Sequence, residues 1–219
     1  MTAPRASTVK PRPRNRRGEG DKLRDDLLAA TERLMIETGS AESVSIRAIA
    51  DAVGVTPPSI YLHFPDKDSL ILAVCERHFE VFDSVIEQAG GSTDDPVESL
   101  RRRGRAYVRF GLENPEPYRI LFMTRTDSAQ QYDAVVGAGA RAFQHLVDAV
   151  QRCIGDGAFR RVDPIVAATG VWTAVHGVTS LLISMPGFPW PEVDALVDHV
   201  CDIQIRGLRE PVHEPKESS

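Results

Sequence analysis

The chain contains few cysteines and few aromatic residues. It has 3 cysteines among 219 residues, and aromatic residues make up 6% of the composition. Cys75, Cys153 and Cys201 are widely spaced and form no C-x-x-C pair, which argues against a disulfide framework and against a zinc knuckle. We interpret them as buried thiols in a reducing compartment; a redox-sensing pair is the alternative.

Membrane and secretion signals are missing as well. No apolar run reaches the ~18 residues that a membrane span needs. The N-terminus is basic and has no apolar segment behind it, unlike a secretory signal. The sequence therefore predicts a cytoplasmic protein that has no membrane partner.

Motifs of the common enzyme classes are also absent. The chain has no G-x-S-x-G, no phosphate-binding loop, no dinucleotide fingerprint and no H-E-x-x-H motif. Its 6 histidines show no metal-ligand spacing. We therefore predict that the protein is not an enzyme, and that it has neither a metal site nor a cofactor.

Positive charge is concentrated at one end of the chain. The net charge is −5, but residues 1–24 hold six Arg and two Lys against Glu19 and Asp21, a balance of +6. The remaining residues therefore carry −11. A basic segment attached to an acidic body is typical of a protein that contacts nucleic acid at one end only.

The first 20 residues combine this charge with three prolines and lack apolar periodicity, so we predict a disordered basic arm. Two interpretations stay open. The arm is either a solvated tail without a function, or it strengthens DNA binding through phosphate or minor-groove contacts.

Apolar periodicity over the rest of the chain is helical, and no useful length alternates with the period of a strand. The sequence predicts an all-α fold of about nine helices. The predicted organisation is a basic arm over 1–20, an N-terminal helical domain over 21–80, a C-terminal helical domain over 81–209, and a disordered tail over 210–219.

One stretch of the N-terminal part carries a clear succession of helix signals. Ser45 can cap a short helix whose apolar residues recur at offsets of three, four and seven. Gly54 suits the end of that helix. Thr56 is expected to cap a second helix through the amide of Ser59, because the two intervening prolines have no amide. Asp66 is placed to cap the next helix.

Two short helices joined by a glycine-containing turn predict a helix-turn-helix, whose second helix usually enters the DNA major groove. A helical hairpin inside an ordinary helical domain is the alternative. Ile60 and Phe64 lie four residues apart and should face inward, which turns Tyr61 outward. We expect Thr56–Phe64 to form one rigid rod.

Two sets of motifs resemble a known family. I-R-A-I-A-D-A-V-G-V-T, S-I-Y-L-H-F and D-K-D-S-L are similar to the DNA-binding region of the tetracycline-repressor (TetR) family, over about residues 21–80. W-T-A-V-H-G, with N-P-E-P-Y-R-I-L-F upstream, resembles the C-terminal domain of the subfamily named for its Trp-His-Gly signature. The resemblance implies an N-terminal three-helix DNA-binding domain and a C-terminal helical ligand-binding and dimerisation domain.

The resemblance also implies a set of DNA-contacting residues. They are Ser45, Arg47, Thr56, Pro57, Ser59, Tyr61, His63 and Lys67. Tyr61, His63 and Lys67 would position the DNA backbone, whereas Arg47 and the first turn after Thr56 would read bases.

The family resemblance further implies a homodimer that binds a palindromic operator, usually as a repressor, and that a small apolar or amphipathic effector releases. We expect the last two helices to form the dimer interface as a four-helix bundle. The candidate effector-lining residues are Tyr107, Phe110, Phe122, Met123, Phe143, Trp172 and His176. The alternative for each of them is plain core, and for His176 a hydrogen-bonded core or interface histidine. A general architectural DNA binder without an effector is the alternative function.

Four arginines, Arg101, Arg102, Arg103 and Arg105, form a short basic run in a predicted helix. Acidic stretches surround this run, so we interpret it as a solvated helix face. A second nucleic-acid patch is the alternative.

Overall fold

The structure is a computed structural model that describes residues 19–123 and 129–209, except for the side chains of residues 19 and 129–135. The predicted arm up to residue 18 and the predicted tail lie outside the described residues. Residues 19 and 20, which we had placed in the arm, already belong to the first helix. The described residues form nine helices and contain no strand, which confirms the all-α prediction. In chain order the helices are α1 (Glu19–Thr38), α2 (Ile46–Val53), α3 (Pro57–Ile60), α4 (Lys67–Gly90), α5 (Pro96–Glu113), α6 (Pro115–Phe122), α7 (Ala129–Gly155), α8 (Pro164–Ser184) and α9 (Val193–Arg209).

The described residues divide into two compact units. The first comprises the residues up to Arg77 together with Arg119–Ala138, and the second comprises His78–Tyr118 and the residues from Gly139 onward. Helices α4, α6 and α7 each contribute residues to both units. The division into domains at residues 80 and 81 stays a prediction.

The core of the first unit draws one fully buried side chain from each of its four N-terminal helices. Leu27, Ile49, Ile60 and Leu70, on α1 to α4, are each 0% exposed. Burying a side chain of this size contributes roughly 1.5–3 kcal/mol to folding. The short helices α2 and α3 are therefore held in place by the common core.

In the second unit, two glycines let α5 approach its neighbours closely. A Cβ added at Gly104 would lie 2.9 Å from Sγ of Cys201 on α9, and one added at Gly111 would lie 2.3 Å from Cγ2 of Thr179 on α8. Side chains larger than hydrogen would push α5 away from both helices. Twelve buried residues from α5, α7, α8, α9 and the segment after α7 fill this core, among them Val150 and Ala168 at 0% exposure.

Helix α8 is unusually apolar for a helix that is largely uncovered. Oδ1 of Asp163 caps it by accepting from the amides of Ile165 at 2.8 Å and Val166 at 3.2 Å. An 18-residue window of α8 has a mean hydropathy of 1.5, which is long and apolar enough to cross a membrane by length and composition alone, and 33% of the window is buried. The expectation that no stretch of the chain reaches this length was wrong. That expectation considered uninterrupted apolar residues, whereas α8 mixes them with small polar residues and glycine.

The basic run on α5 is used in ion pairs within the second unit. Arg105 Nε lies 2.5 Å from Oδ1 of Asp198 on α9, and Arg101 pairs with Asp202 one turn further along α9. Arg103 pairs with Glu87 on α4. These contacts favour an intramolecular role for the run over a second nucleic-acid patch, because its charges already have partners.

Candidate DNA-binding surface and buried histidine network

Helix α2 has the boundaries that its sequence predicts. Oγ of Ser45 accepts from the amide of Ala48 at 3.1 Å, which confirms the predicted cap. Gly54 has φ 74°, and its N–H donates to the carbonyl of Ala50 at 2.9 Å. Because Ile49 and Ala50 are buried against the core, the side chain of Arg47 is left exposed.

The predicted cap of α3 is wrong in its detail. Thr56 precedes the helix, but its side chain accepts no hydrogen bond from an amide. The backbone carbonyl of Thr56 instead accepts from the amide of Ser59 at 2.9 Å, and the two side-chain hydroxyl oxygens lie 3.1 Å apart. The Ser59 amide is therefore already satisfied by the backbone, which leaves the hydroxyl of Thr56 to pair with another hydroxyl.

The predicted rod from Thr56 to Phe64 is also wrong in its length. Helix α3 has four residues, and the next three form a turn in which the amides of His63 and Phe64 donate to the carbonyl of Ile60 at 2.9 and 3.0 Å. Two adjacent prolines at the start favour a short, tight element. Ile60 and Phe64 are buried at 0% and 3% exposure, and Tyr61 is 52% exposed, as the sequence predicts.

Leu62 lies in the same turn as Tyr61, and the sequence reasoning did not single it out. Its side chain is 84% exposed, next to Tyr61. The signal was present in the spacing, since Leu62 lies two residues from each of the two buried residues Ile60 and Phe64. Together with Tyr61, it places two large exposed side chains side by side on this turn.

Lys67, at the start of α4, is bonded to the loop between α1 and α2. Its Nζ donates to the backbone carbonyl of Glu42 at 3.2 Å. Oδ1 of Asp66 caps the same helix by accepting from the amide of Ser69 at 2.7 Å. Hydrogen bonds from the hydroxyl and the amide of Ser69 lower the pKa of the Asp66 carboxyl.

All eight predicted DNA-contacting residues lie in the first unit, on α2, α3, the following turn and the start of α4. Ser45, Arg47, Thr56, Pro57 and Tyr61 are exposed, whereas Ser59, His63 and Lys67 are half-buried. Their assignment to DNA stays a prediction.

The second unit holds a partly buried polar network around His176. Nδ1 of His176 lies 2.7 Å from the hydroxyl of Tyr118 and 3.0 Å from the hydroxyl of Tyr107, and Nε2 lies 3.3 Å from Oγ of Ser180. Nε1 of Trp172 donates to the hydroxyl of Tyr107 at 3.3 Å. One imidazole thus links side chains from α5, α6 and α8.

This network is arranged for neutral groups. Burial lowers the pKa of His176 below its ordinary value and raises the pKa of both Tyr107 and Tyr118. A neutral imidazole has one accepting and one donating nitrogen. Two phenol donors beside Nδ1 favour the tautomer that accepts there and donates from Nε2 to Ser180.

Two families match the sequence. Residues 27–74 match the family described as "Bacterial regulatory proteins, tetR family", and residues 100–204 match "Tetracyclin repressor-like, C-terminal domain". The "HTH-type transcriptional activator FasR" of Mycolicibacterium smegmatis is 32% identical over 158 residues, which are 70% of this chain and 72% of that protein. The chain belongs to the TetR family. It is therefore a DNA-binding transcriptional regulator and not an enzyme.

Solved structures share the fold. A protein of unknown function from Rhodococcus sp. RHA1 has a TM-score of 0.71 and 26% identity, covering 86% of this chain and 96% of its own. The fatty acid degradation regulator FadR from Bacillus halodurans also has a TM-score of 0.71, at 18% identity, covering 84% of this chain and 99% of its own.

Five of the seven candidate effector residues of this TetR regulator lie in the second unit and are connected there. Tyr107, Trp172 and His176 share the network, the ring of Phe143 packs edge-on against Trp172 with centroids 6.0 Å apart, and Phe110 contacts Phe82, which in turn contacts Tyr107. The other two, Phe122 and Met123, are in the first unit. Sequence reasoning missed Tyr118, although it stands in the N-P-E-P-Y motif that carries the family resemblance.

A cavity of about 430 Å³ in the second unit lies between α5 and α9. Its lining residues are Arg105, Val108, Arg109, Leu112, Glu113, Val193, Asp194, Val197 and Asp198. None of the seven predicted effector residues is among them. More than half of the lining side chains are charged, which does not suit a purely apolar effector.

One cluster in the second unit has the composition of a metal site. Ligand atoms of Asp83, Glu87 and His145 lie within 4.8 Å of one another. However, Asp83 accepts from Arg141 Nε at 3.1 Å and from His145 Nδ1 at 2.9 Å, and Glu87 pairs with Arg103. Two guanidinium groups already neutralise the two carboxylates. The cluster is thus explained as an ion-pair network, and the absence of a metal site stays a prediction.

Proposed function

We propose that this regulator acts as a homodimer that binds a palindromic operator and is released by a small apolar or amphipathic effector. The observation that carries the proposal is the pairing of two surfaces within one chain. Exposed side chains lie on and around α2 and α3, and large apolar side chains are exposed on α8 and, at Ile203, on α9.

The DNA-reading role is assigned residue by residue. Arg47 and the first turn after Thr56 would read base edges, while Tyr61, His63 and Lys67 would position the phosphate backbone. We add Leu62 to this set, because its apolar side chain suits contact with a thymine methyl group.

The dimer is supported by the uncovered apolar residues of the last two helices. Ile165, Val166 and Leu181 on α8 are 59%, 65% and 46% exposed, and Ile203 on α9 is 53% exposed. Packing α8 and α9 against the same helices of a second copy would bury these side chains in a four-helix bundle. A helix-turn-helix dimer reads half-sites separated by about 34 Å or a multiple of it, so dimerisation and operator recognition require each other.

The effector class is inferred from the apolar and aromatic character of the second unit. Some proteins that this chain resembles have names that mention fatty acids, namely FadR and a putative fatty acid metabolism regulator from Clostridium perfringens. Fatty acids and their acyl derivatives are therefore the first effectors to test. An effector weakens operator binding only by its higher affinity for the dimer form that does not fit DNA.

We keep repression as the expected direction of regulation, and the cytoplasm, where chromosomal DNA lies, as the place of action. FasR is named an activator. The direction depends on where the operator lies relative to the promoter, so the same dimer can serve either outcome.

Selection of fragments bound by the protein from the native genome tests the proposal. We expect a two-fold symmetric consensus, a dimeric mass in analytical ultracentrifugation at micromolar concentration, and release of the selected fragment by a fatty acyl compound. A monomer at that concentration contradicts the dimer.

The alternative, an architectural DNA binder without an effector, predicts a different result in the same experiment. A regulator should prefer its operator over random DNA by about 10³-fold or more. An architectural protein would show a small ratio, and no small molecule would change it.

A further inference from the structure

We propose that Arg24 is a positioning residue for DNA recognition, which holds the segment Thr56–His63 in its reading orientation by stacking on Phe64. The inference rests on the proposed role of that segment in reading DNA. It assigns to α1 a function beyond its contribution to the core.

Two contacts in the first unit place the start of α1 against His63, the last residue of the segment Thr56–His63, and against Phe64, which follows it. The guanidinium carbon of Arg24 lies 5.1 Å from the centroid of the Phe64 ring. One turn earlier on α1, a Cβ added at Gly20 would lie 4.0 Å from Cε1 of His63. Residues 20 and 24 share one helix face, so this face runs along His63 and Phe64.

The segment Thr56–His63 needs such support because its helix, α3, is too short to be stiff by itself. A four-residue helix has almost none of the cooperative hydrogen bonding that stabilises longer helices. Prolines stiffen its beginning, but its end is a turn that carries the exposed Tyr61 and Leu62. The buried ring of Phe64 fixes that end, and an arginine over the ring face adds an attraction that depends on both partners.

A direct phosphate contact by Arg24 is the competing role, since its side chain is exposed. The two roles differ in what they change. A phosphate contact adds equally to every DNA sequence and contributes about 0.9 to the slope of log affinity against log salt. A positioning role changes the preference for the correct sequence and leaves that slope unaltered.

The test compares Arg24→Met, Arg24→Lys and, as a matched control, Arg33→Met, which removes the same charge from an exposed position on α1. Affinity is measured for the fragment that the wild-type protein selects and for random DNA, at several salt concentrations. We expect Arg24→Met to lower the ratio of the two affinities by roughly tenfold with an unchanged salt slope. Arg24→Lys should recover most of the ratio, and Arg33→Met should retain all of it.

A double-mutant cycle with Phe64→Leu shows whether Arg24 acts through the ring. In the Phe64→Leu background, Arg24→Met should cause no further loss of the affinity ratio. An equal loss in both backgrounds overturns the proposal, as does a uniform loss on both DNAs with a smaller salt slope.

A purely structural role would lower the melting temperature of Arg24→Met without changing its affinity ratio, and this result also overturns the proposal. If the wild-type protein itself shows no preference between the two DNAs, the proposed function fails instead. The two failures are therefore distinguishable.

Discussion

The two ends of this chain depart from the rule of apolar inside and polar outside in different ways. Of the large apolar side chains on residues 20–77, all of them described, the exposed ones are the neighbours Tyr61 and Leu62. On α8 and α9 four large apolar residues are exposed, namely Ile165, Val166, Leu181 and Ile203. The difference fits the two proposed partners, because a groove in DNA admits a small protruding element, whereas a second copy of the chain could cover apolar residues spread over two helices.

The interiors differ in the same sense. Among the described residues, the first unit buries one polar side chain, Thr31, whereas the second unit buries Asp83, Ser99, Arg103 and Thr179, besides the half-buried His176. Buried polar groups must be satisfied by partners, which makes their packing specific and sensitive to change. Reading DNA requires only a rigidly packed unit. The effector response proposed for the second unit requires an interior whose side chains can pack in more than one way.

The largest effect on dimerisation and operator affinity should come from a charged residue in place of the exposed Leu181 on α8. We expect Leu181→Arg to convert the dimer to a monomer, because each copy would place an unpaired charge in the interface. Operator affinity should then fall on the order of 100-fold or more. Analytical ultracentrifugation and operator titration measure the two effects.

Val81→Arg is the matched control for this variant, since Val81 lies on α4 in the same unit and is 52% exposed. It should leave both mass and affinity unchanged. If Leu181→Arg stays dimeric, the exposed apolar residues of α8 do not form the dimer interface. The proposed contrast between a DNA-binding surface on residues 20–77 and a dimer surface on α8 and α9 would then be wrong.

Removing the exposed leucine from the DNA-reading end should have the next largest effect. Leu62→Ala is expected to lower operator affinity by about tenfold, the amount that corresponds to exposing much of a leucine side chain. The loss on random DNA should be smaller. Folding should be unaffected, because the side chain is 84% exposed. An unchanged operator affinity would mean that Leu62 points away from the groove.

Most of the helix starts and helix ends in the first unit could be predicted from the sequence. The caps at Ser45 and Asp66 and the end at Gly54 follow from side-chain chemistry that acts over three or four residues. The length of α3 did not follow, because a turn at residues 61–63 keeps Ile60 and Phe64 buried just as a helix would. Periodicity alone cannot distinguish the two.

The network around His176 could be predicted only in part, for a related reason. Trp172 and His176 are one helical turn apart, so their common face was evident. Their partners Tyr107 and Tyr118 come from helices distant in sequence. The family resemblance pointed to the motif that contains Tyr118, but it did not predict the hydrogen bond between Tyr118 and His176. Tertiary packing determines which hydroxyl group reaches the imidazole.

Two positive residues of the DNA-reading end should separate positioning from reading. Lys67→Ala should weaken operator and random DNA by a similar, few-fold amount and reduce the salt slope by about 1. Arg47→Ala should change the preference between sequences. Both are measured by titration of the two DNAs over a range of salt concentrations. Equal losses on both DNAs for both variants would refute the distinction.

The smallest effect concerns the pH dependence of the second unit. Burial lowers the pKa of His176 from its ordinary value of 6.5. The unfolded chain therefore binds a proton more readily than the folded one, and the stability from neutral His176 is complete above pH 6.5 and is lost as the pH falls toward the lowered pKa. Each unit by which the pKa is lowered corresponds to about 1.4 kcal/mol.

His176→Gln keeps a donor and an acceptor at this position but cannot titrate, so the variant should lose less stability than the wild-type protein between pH 8 and pH 5. Urea unfolding at several pH values measures the difference. At pH 8 we expect the wild type to be more stable, since glutamine cannot reproduce the ring contacts with Tyr118 and Trp172. At pH 5 the gap should narrow. A gap independent of pH would indicate that the folded protein accommodates a protonated His176, and the interior of the second unit would then be less specific than its comparison with the first unit implies.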